Sequence, residues 1–238
     1  RVLIAIPTLL GVGVVVFVLM RVVPGDPIAM MIAPGASPQD IQNMRALYGL
    51  DKSIAQQFVI WLGEVLQGRF GTSITFRQDV LTLIGERLPA TLELGGVAML
   101  LAVLLGGAAG LWSAARDGGW VSNLIDALVA VIQSIPDFLW GLMLMLLFGV
   151  LLPWLPISGR LDPGLSQQAG TGFLLIDSLI HARTELVKSL LLYMLAPALS
   201  LALPVAAMLA RLLKASMQEA MSSDYVMLAR LKGMSTRH

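Results

Sequence analysis

Four long apolar stretches dominate the sequence and restrict the chain to the folds that a membrane permits. Each is about as long as the ~20 residues that a helix needs to cross a bilayer, or longer. They lie at residues 2–20, 92–115, 123–152 and 190–213. Backbone groups in lipid must find their hydrogen bonds within the spanning structure. The sequence therefore predicts an all-α, polytopic integral membrane protein with four transmembrane helices.

Composition supports this class and argues against others. Of the 238 residues, 57% are hydrophobic and 13% are charged, well outside the range of soluble globular proteins. The net charge of +1 and the absence of cysteine indicate neither a nucleic-acid partner nor thiolate chemistry. The sequence has no Gly-x-Ser-x-Gly elbow, no zinc-ligand cluster and no Walker A motif. We therefore expect no catalytic residues, no metal site and no cofactor.

The apolar N-terminal stretch competes with one other interpretation, a cleaved signal peptide. Its apolar run is longer than the hydrophobic region of such a peptide, and Val22–Pro27 is no small-residue cleavage site. We therefore interpret residues 2–20 as the first span.

The two long polar-to-amphipathic segments at residues 24–90 and 153–189 are expected outside the membrane, on the periplasmic side. In the first, Ser37–Asp40 predicts a helix start. Ser53–Gln56 predicts a capping box followed by an apolar stripe. A third apolar face ends at Pro89. Such stripes indicate packing or seating at an interface rather than chemistry.

The third apolar stretch is interrupted by polar residues and a proline. Pro136 removes a backbone hydrogen bond and is expected to kink the helix. A carboxylate such as Asp137 within a span costs at least ~2.5 kcal/mol unless it faces protein or water. We therefore predict that a cavity is lined by the residues of this interruption, Gln133, Ser134, Pro136 and Asp137. The alternative is that Asp137 packs against a neighbouring helix.

In the second stretch, Gly106 and Gly110 form a small-xxx-small pair, which favours close approach of two helix backbones.

The segment after the fourth stretch is abruptly polar and basic. Asp224 opens a short helical pattern with apolar residues at three- and four-residue steps, and Gly233 ends it as a C′ glycine would. Lysine and arginine outnumber acidic residues between Arg211 and Arg237, which places this segment in the cytoplasm. The pattern fits either a helix that docks on a soluble partner or a solvated tail.

Several motifs in the chain resemble one family. Asp224–Val226, Ala229–Arg230 and Lys232–Met234 resemble the cytoplasmic EAA loop of binding-protein-dependent ABC importer permeases, and most closely its dipeptide/oligopeptide branch. Met227, Leu228, Leu231 and Met234 depart from the usual residues of that loop. Further segments resemble the same branch: Pro24–Pro27, Gly49–Lys52, Gly68–Ser73, Arg87–Leu94, the Ser134–Gly141 pattern, Pro156–Arg160 and Gly172–Asp177.

The resemblance implies a type I permease fold in a bacterial inner membrane. It implies a single transmembrane domain over residues 1–238, truncated from a six-helix subunit. The loop would form a coupling helix that sits in a groove of an ATPase. The residues that the resemblance assigns to this coupling are Asp224, Tyr225, Leu228, Ala229, Arg230, Lys232 and Gly233.

The resemblance also implies a function and partners. The chain would be the permease subunit of an ATP-driven importer of dipeptides or short oligopeptides. The translocation path would be lined by Gln133, Ser134, Pro136 and Asp137, and a second related permease would complete it. Two ATP-binding subunits would bind the ATP, and a periplasmic or lipid-anchored protein would deliver the peptide. Within the family, the cargo could instead be glutathione, a nickel chelate or haem. A secondary transporter with Asp137 as an ion site is a further alternative.

Overall fold

The structure is a computed structural model that describes residues 2–22, 37–47, 49–73, 75–116, 118–165 and 170–233. The predicted turn at residues 24–27 and the last residues, 234–238, lie outside this described part. Helices dominate it, and its only β-type pairing is an isolated bridge between Thr72 and Asp79. The chain forms two compact units, Arg1–Glu86 and Arg87–His238.

Within its described residues, the first unit contains one apolar helix and two short ones. Helix α1 (Val2–Val22) is apolar along its length, as the first predicted span requires. Helix α2 (Pro38–Leu47) begins at the predicted start signal. Helix α3 (Ile54–Leu66) carries the predicted capping box between Ser53 and Gln56. Helices α1 and α3 contact each other.

Most of the second unit is built around two very long helices, α4 (Val80–Ala115) and α8 (Thr184–Met221). At about 1.5 Å per residue they are roughly 54 and 57 Å long, so each exceeds the ~30 Å hydrocarbon thickness. Both therefore extend beyond the predicted spans, 92–115 and 190–213. Helix α4 continues through Pro89, where the sequence had suggested an end, and the Pro89 ring is buried near Gly172.

The third predicted span is two helices joined at a sharp break. Helix α5 (Trp120–Ser134) is followed by α6 (Asp137–Leu144) and a π-helical segment (Met145–Leu151). The predicted interruption at Pro136 is present, and the two halves meet at an angle of 102°. Both α5 and α6 pack against α8. By length and composition, three described helices can cross a membrane, and the bent pair would be a fourth span.

Small residues form the contact between α4 and α8. A Cβ atom at Gly106 would lie 2.5 Å from the Ala206 carbonyl oxygen, and one at Gly110 would lie 2.9 Å from that of Ala210. Ala102 packs in the same buried cluster as Ala206. The predicted close approach is therefore present, because side chains at these positions would force the two backbones apart.

After the π-helical segment, the chain returns to α8 through a folded connection. Helix α7 (Leu174–Ile180) is its one described helix. Leu174 packs with Leu186 and Leu190 at the start of α8 in a buried apolar cluster. Beyond α8, the short helix α9 (Asp224–Leu231) ends the described chain.

Candidate functional site

The predicted coupling segment forms a short helix at the end of α8. The chain turns at Ser222 and Ser223, and the Ser223 carbonyl accepts hydrogen bonds from the amides of Val226 and Met227, both at 3.1 Å. Asp224 lies in the first turn of α9, where a carboxylate complements the helix dipole. The helix covers most of the predicted range and stops two residues before Gly233.

The described side chains of α9 present exposed apolar surface. Tyr225 is 67% exposed and Leu231 is 76% exposed. Met227 and Leu228 are exposed as well. Ala229 and Arg230 belong to the helix, but their side chains lie outside the described part. A helix of eight residues with this much apolar surface in water is expected to have a partner, because a contiguous exposed apolar patch marks an interaction site.

Gly233 has the conformation that the sequence analysis expected of it. Its φ is +79°, in the left-handed region where a residue with a Cβ is strained. Nothing lies within 4 Å of where its Cβ would be. The glycine is therefore required by the backbone turn and not by crowding. Lys232, just before it, is exposed.

Close to the same end of α8, a polar cluster joins three helices. Lys214 on α8 donates hydrogen bonds to Asp126 Oδ2 at 2.5 Å and to Ser122 Oγ at 2.9 Å, both on α5. The Ser122 and Ser113 hydroxyls lie 2.9 Å apart, which brings in α4. Both serines are fully buried. The cluster fixes the ends of the three helices relative to one another.

A cavity of about 370 Å³ adjoins this cluster. It is lined by Ser113, Asp126, Lys214 and apolar residues of α5 and α8, with Arg211 and Gln218 farther along α8. The sequence analysis did not identify the cluster. Asp126 and Lys214 are 88 positions apart, so only the packed structure brings them together.

The four predicted path residues lie at the break between α5 and α6. Ser134 ends α5 and bonds back to the Ala130 carbonyl at 2.7 Å, while Pro136 precedes α6 with extended backbone. Asp137 occupies the first turn of α6. All four side chains are exposed in this chain, and none of them lines the cavity beside Lys214. The structure thus brings them together at one place without enclosing them.

A second cavity, of about 180 Å³, adjoins the second half of the bent pair, which consists of α6 and the π-helical segment. Its lining includes Gly141 and Met145, the loop residues Leu155–Gly159 and, on α8, Tyr193 and Ser200. The predicted path residues do not line it either. Within the Ser134–Gly141 pattern, Gly141 is the one residue that lines this cavity.

A buried carboxylate organises the folded connection before α8. Glu93 on α4 accepts a hydrogen bond from Arg160 at 2.7 Å and from the Leu175 amide at 2.7 Å. Arg160 also donates to the Gly172 carbonyl at 3.1 Å. The Glu93 side chain is 2% exposed. It therefore caps the start of α7 and holds the connection on α4.

This cluster was not predicted as a unit, although each part was visible. Glu93, Arg160 and Gly172 lie in three separate segments that resemble the same family: Arg87–Leu94, Pro156–Arg160 and Gly172–Asp177. The structure joins the three segments through one carboxylate. The resemblance of all three segments to one family indicated that each segment matters. It did not indicate which of their residues contact one another.

Comparison with known proteins gives a consistent result over the whole chain. Residues 102–238 match the family described as binding-protein-dependent transport system inner membrane component. Residues 1–95 match the N-terminal region of the corresponding membrane component.

Named relatives are peptide permeases. The di/tripeptide transport system permease protein DppB of Pseudomonas aeruginosa is 37% identical over 97% of this chain and 69% of the relative. The dipeptide transport system permease protein DppB of Escherichia coli is 32% identical over 97% of this chain and 69% of the relative. The protein of the same name in Alkalihalophilus pseudofirmus is 30% identical over 98% of this chain and 70% of the relative. The chain spans about two thirds of the length of such relatives.

Proposed function

The chain belongs to the family of binding-protein-dependent transport system inner membrane components, and we propose that it moves dipeptides or short oligopeptides through the membrane. As a member of this family it is a multi-pass inner membrane component of an ABC importer, a transporter subunit and not an enzyme. Membership excludes the secondary-transporter alternative, in which Asp137 was an ion site.

The peptide substrate is supported by the relatives and by the motifs. The relatives named above carry di/tripeptide or dipeptide transport in their names. The segments Pro156–Arg160 and Gly172–Asp177, which resemble the dipeptide branch, meet at Glu93 in the structure. Glutathione, a nickel chelate and haem are the competing cargoes within the family.

The family works with ATPase and binding-protein partners. The specific assembly belongs to the proposal: a second related permease beside this chain, two ATP-binding subunits and a periplasmic or lipid-anchored peptide-binding protein. ATP is bound by the ATPase subunits, and this chain itself holds no cofactor.

The observation that carries the coupling role is the exposed apolar surface of α9. In the proposal, Tyr225, Leu228 and Ala229 enter a groove of an ATPase subunit, while Asp224, Arg230 and Lys232 lie at its rim. Burying a side chain such as Tyr225 or Leu228 contributes roughly 1.5–3 kcal/mol to docking. Gly233 then turns the chain away from the groove.

The long helix α8 supports transmission of an ATPase movement into the membrane. It runs without interruption from Thr184 to Met221 and is followed by α9 after only two residues. The contacts of Lys214 with Asp126 and Ser122 tie α8 to α5 close to this end. A displacement of α9 would therefore move three helices together, as a rigid-body switch requires.

The break between α5 and α6 supports the assignment of the translocation path. Irregular backbone at membrane depth is tolerated where it is covered by protein or lines a water-filled cavity. Gln133, Ser134, Pro136 and Asp137 flank that break and are exposed in the single chain. In the proposal, the second permease faces them and completes the path.

The substrate is tested by transport in proteoliposomes. The full transporter, with its partner subunits identified by mass spectrometry after co-purification, is reconstituted and supplied with binding protein and ATP. We expect ATP-dependent accumulation of a labelled dipeptide, with no competition from excess glutathione, nickel chelate or haem. Accumulation of one of these three in place of the peptide would contradict the proposed substrate.

A further inference from the structure

Helix α3 packs one of its sides against the apolar helix α1. The rings of Phe58 and Trp61 lie 5.4 and 5.5 Å from the ring of Phe17, which is buried between them. Contacts of this kind contribute aromatic packing beyond their buried area. The side of α3 that carries Phe58 and Trp61 is therefore occupied by α1.

The contact lies alongside the apolar part of the span and not beyond its end. Helix α1 has 21 residues and is about 31 Å long, close to the ~30 Å hydrocarbon thickness. The Trp61 ring lies 3.8 Å from the position of a Cβ at Gly13. Gly13 is roughly 13 Å from the Val22 end along the helix axis. The tip of the Trp61 ring thus reaches α1 at the depth of the acyl chains.

The remaining surface of α3 includes a polar edge and an apolar face. Gln57 and Glu64 are seven residues apart and share one edge. Val59 and Leu66, also seven residues apart, lie roughly 160° away from that edge at 100° per residue. Val59 is 67% exposed and Leu66 is 79% exposed. This is the amphipathic arrangement of a helix that lies in a membrane interface.

Charged groups mark the side of α3 that must stay in water. Arg21, next to the end of α1, donates a hydrogen bond to Gln57 at 2.7 Å, and its guanidinium lies 4.8 Å from the Phe17 ring centroid. Glu64 forms an ion pair with Arg69. The hydrogen bond that Arg69 donates to the Glu64 carboxylate holds the pKa of Glu64 below its ordinary value. Arg21 can extend along the apolar surface with its charge at the boundary.

We propose that α3 lies in the membrane interface beside the Val22 end of α1, with Val59 and Leu66 seated among the acyl chains of that leaflet. The occupant of the apolar face is lipid, because the neighbouring helix α1 exposes apolar side chains along its length and the polar edge of α3 lies roughly opposite Val59 and Leu66. This inference is independent of the transported substrate.

Spin labels placed at single cysteines test the proposal, since the chain has no cysteine of its own. The full transporter is reconstituted in nanodiscs of phosphatidylethanolamine and phosphatidylglycerol. Val59→Cys and Leu66→Cys report on the apolar face. Leu9→Cys, on the exposed surface of α1, serves as the lipid control, and Lys52→Cys, in the exposed turn before α3, serves as the water control.

The measurement is the collision rate of each label with oxygen, which partitions into lipid, and with a water-soluble nickel chelate. We expect the oxygen-to-nickel ratio at Val59 and Leu66 to exceed that at Lys52 clearly and to approach that at Leu9, which lies deeper in the span. A ratio like that of Lys52 would show that the face is in water and would overturn the proposal. An immobilised label that neither reagent reaches would also overturn it, because protein would then cover the face.

Discussion

The ammonium group of Lys214 lies 2.5 Å from Oδ2 of Asp126, so an ion pair joins helices α8 and α5 close to the end that carries α9. The Lys214 side chain is 15% exposed and that of Asp126 is 49% exposed. Ser122 accepts a second hydrogen bond from the same ammonium. The lysine is therefore the more buried member of the pair. Removing the negative charge of Asp126 would take away the counter-charge that it supplies to the ammonium group of Lys214, where little water can replace it.

Replacing Asp126 by asparagine should weaken the link between α8 and α5. The substitution keeps the shape but removes the charge, and we expect a loss of about 1–3 kcal/mol in stability, between the values of exposed and buried pairs. Thermal unfolding of the purified complex measures this loss, and peptide uptake should fall with it. Asp51→Asn, in an exposed turn, is the control for charge removal. Equal unfolding temperatures for the two variants would contradict the role of the pair.

Neighbouring glycines on α4 give a matched pair of variants. Gly106→Ala should destabilise the protein by about 1–3 kcal/mol, because the new Cβ would lie 2.5 Å from the Ala206 carbonyl oxygen. Gly107→Ala should be neutral or slightly stabilising, since nothing lies within 4 Å of that position and alanine favours helix. Thermal unfolding in nanodiscs compares the two. A Gly106→Ala variant as stable as Gly107→Ala would mean that the helices do not pack as described.

The buried carboxylate of Glu93 should control the folded connection before α8. Glu93→Gln removes the charge that Arg160 and the Leu175 amide contact, which for a buried pair costs roughly 3–5 kcal/mol. We expect faster proteolysis between residues 153 and 183. Mass spectrometry of the fragments locates the cleavage sites and measures their rate of appearance. Glu86→Gln is the control, because the exposed Glu86 carboxylate only accepts a hydrogen bond from Gln78, and it should leave the cleavage rate unchanged. Unaltered cleavage in Glu93→Gln would argue against an anchoring role.

Local rules predicted much of the fold, and non-local contacts account for the rest. The lost hydrogen bond at Pro136 predicted an interruption, but the 102° bend depends on how α5 and α6 each pack on α8. Gly106 and Gly110 predicted close packing without identifying Ala206 and Ala210 as the partners. Pro89 suggested the end of a helix that in fact continues.

The candidate site shows the same division. The short helix α9 and the turn after it were predictable because the apolar steps and the terminal glycine are encoded within ten residues of one another. The pairing of Asp126 with Lys214, and of Glu93 with Arg160, was not, because those residues are 88 and 67 positions apart. Periodicity shows which side of a helix is apolar, but it does not show which polar group across a bundle a side chain will meet.

Asp137 tests the assignment of the translocation path. Asp137→Leu should lower peptide uptake while leaving the unfolding temperature unchanged, since the side chain is exposed in this chain. Asp137→Glu keeps the carboxylate and should retain most of the uptake. The variants are compared in proteoliposomes containing equal amounts of complex. Normal uptake by Asp137→Leu would remove this residue from the path.

The proposed coupling role of α9 requires the turn at Gly233 as well as the apolar residues of the helix. Gly233→Val should separate ATP hydrolysis from uptake while insertion stays intact, because a β-branched residue is strained at a φ of +79°. Gly233→Asn should retain coupling, since asparagine tolerates the left-handed region. The readout is the number of peptides transported per ATP hydrolysed. Full coupling in the valine variant would show that the turn is not needed.

The affinity of the permease for its ATPase subunits tests the central claim most directly. Tyr225→Ala should weaken it roughly tenfold to a hundredfold, from the loss of about 1.5–3 kcal/mol of burial. Leu201→Ala, which removes an exposed apolar side chain in the middle of α8, is the control and should bind like the wild type. A weakened Tyr225→Ala complex beside an unchanged control is the result that this account predicts. An unchanged dissociation constant for Tyr225→Ala would contradict the assignment of α9 as the coupling helix.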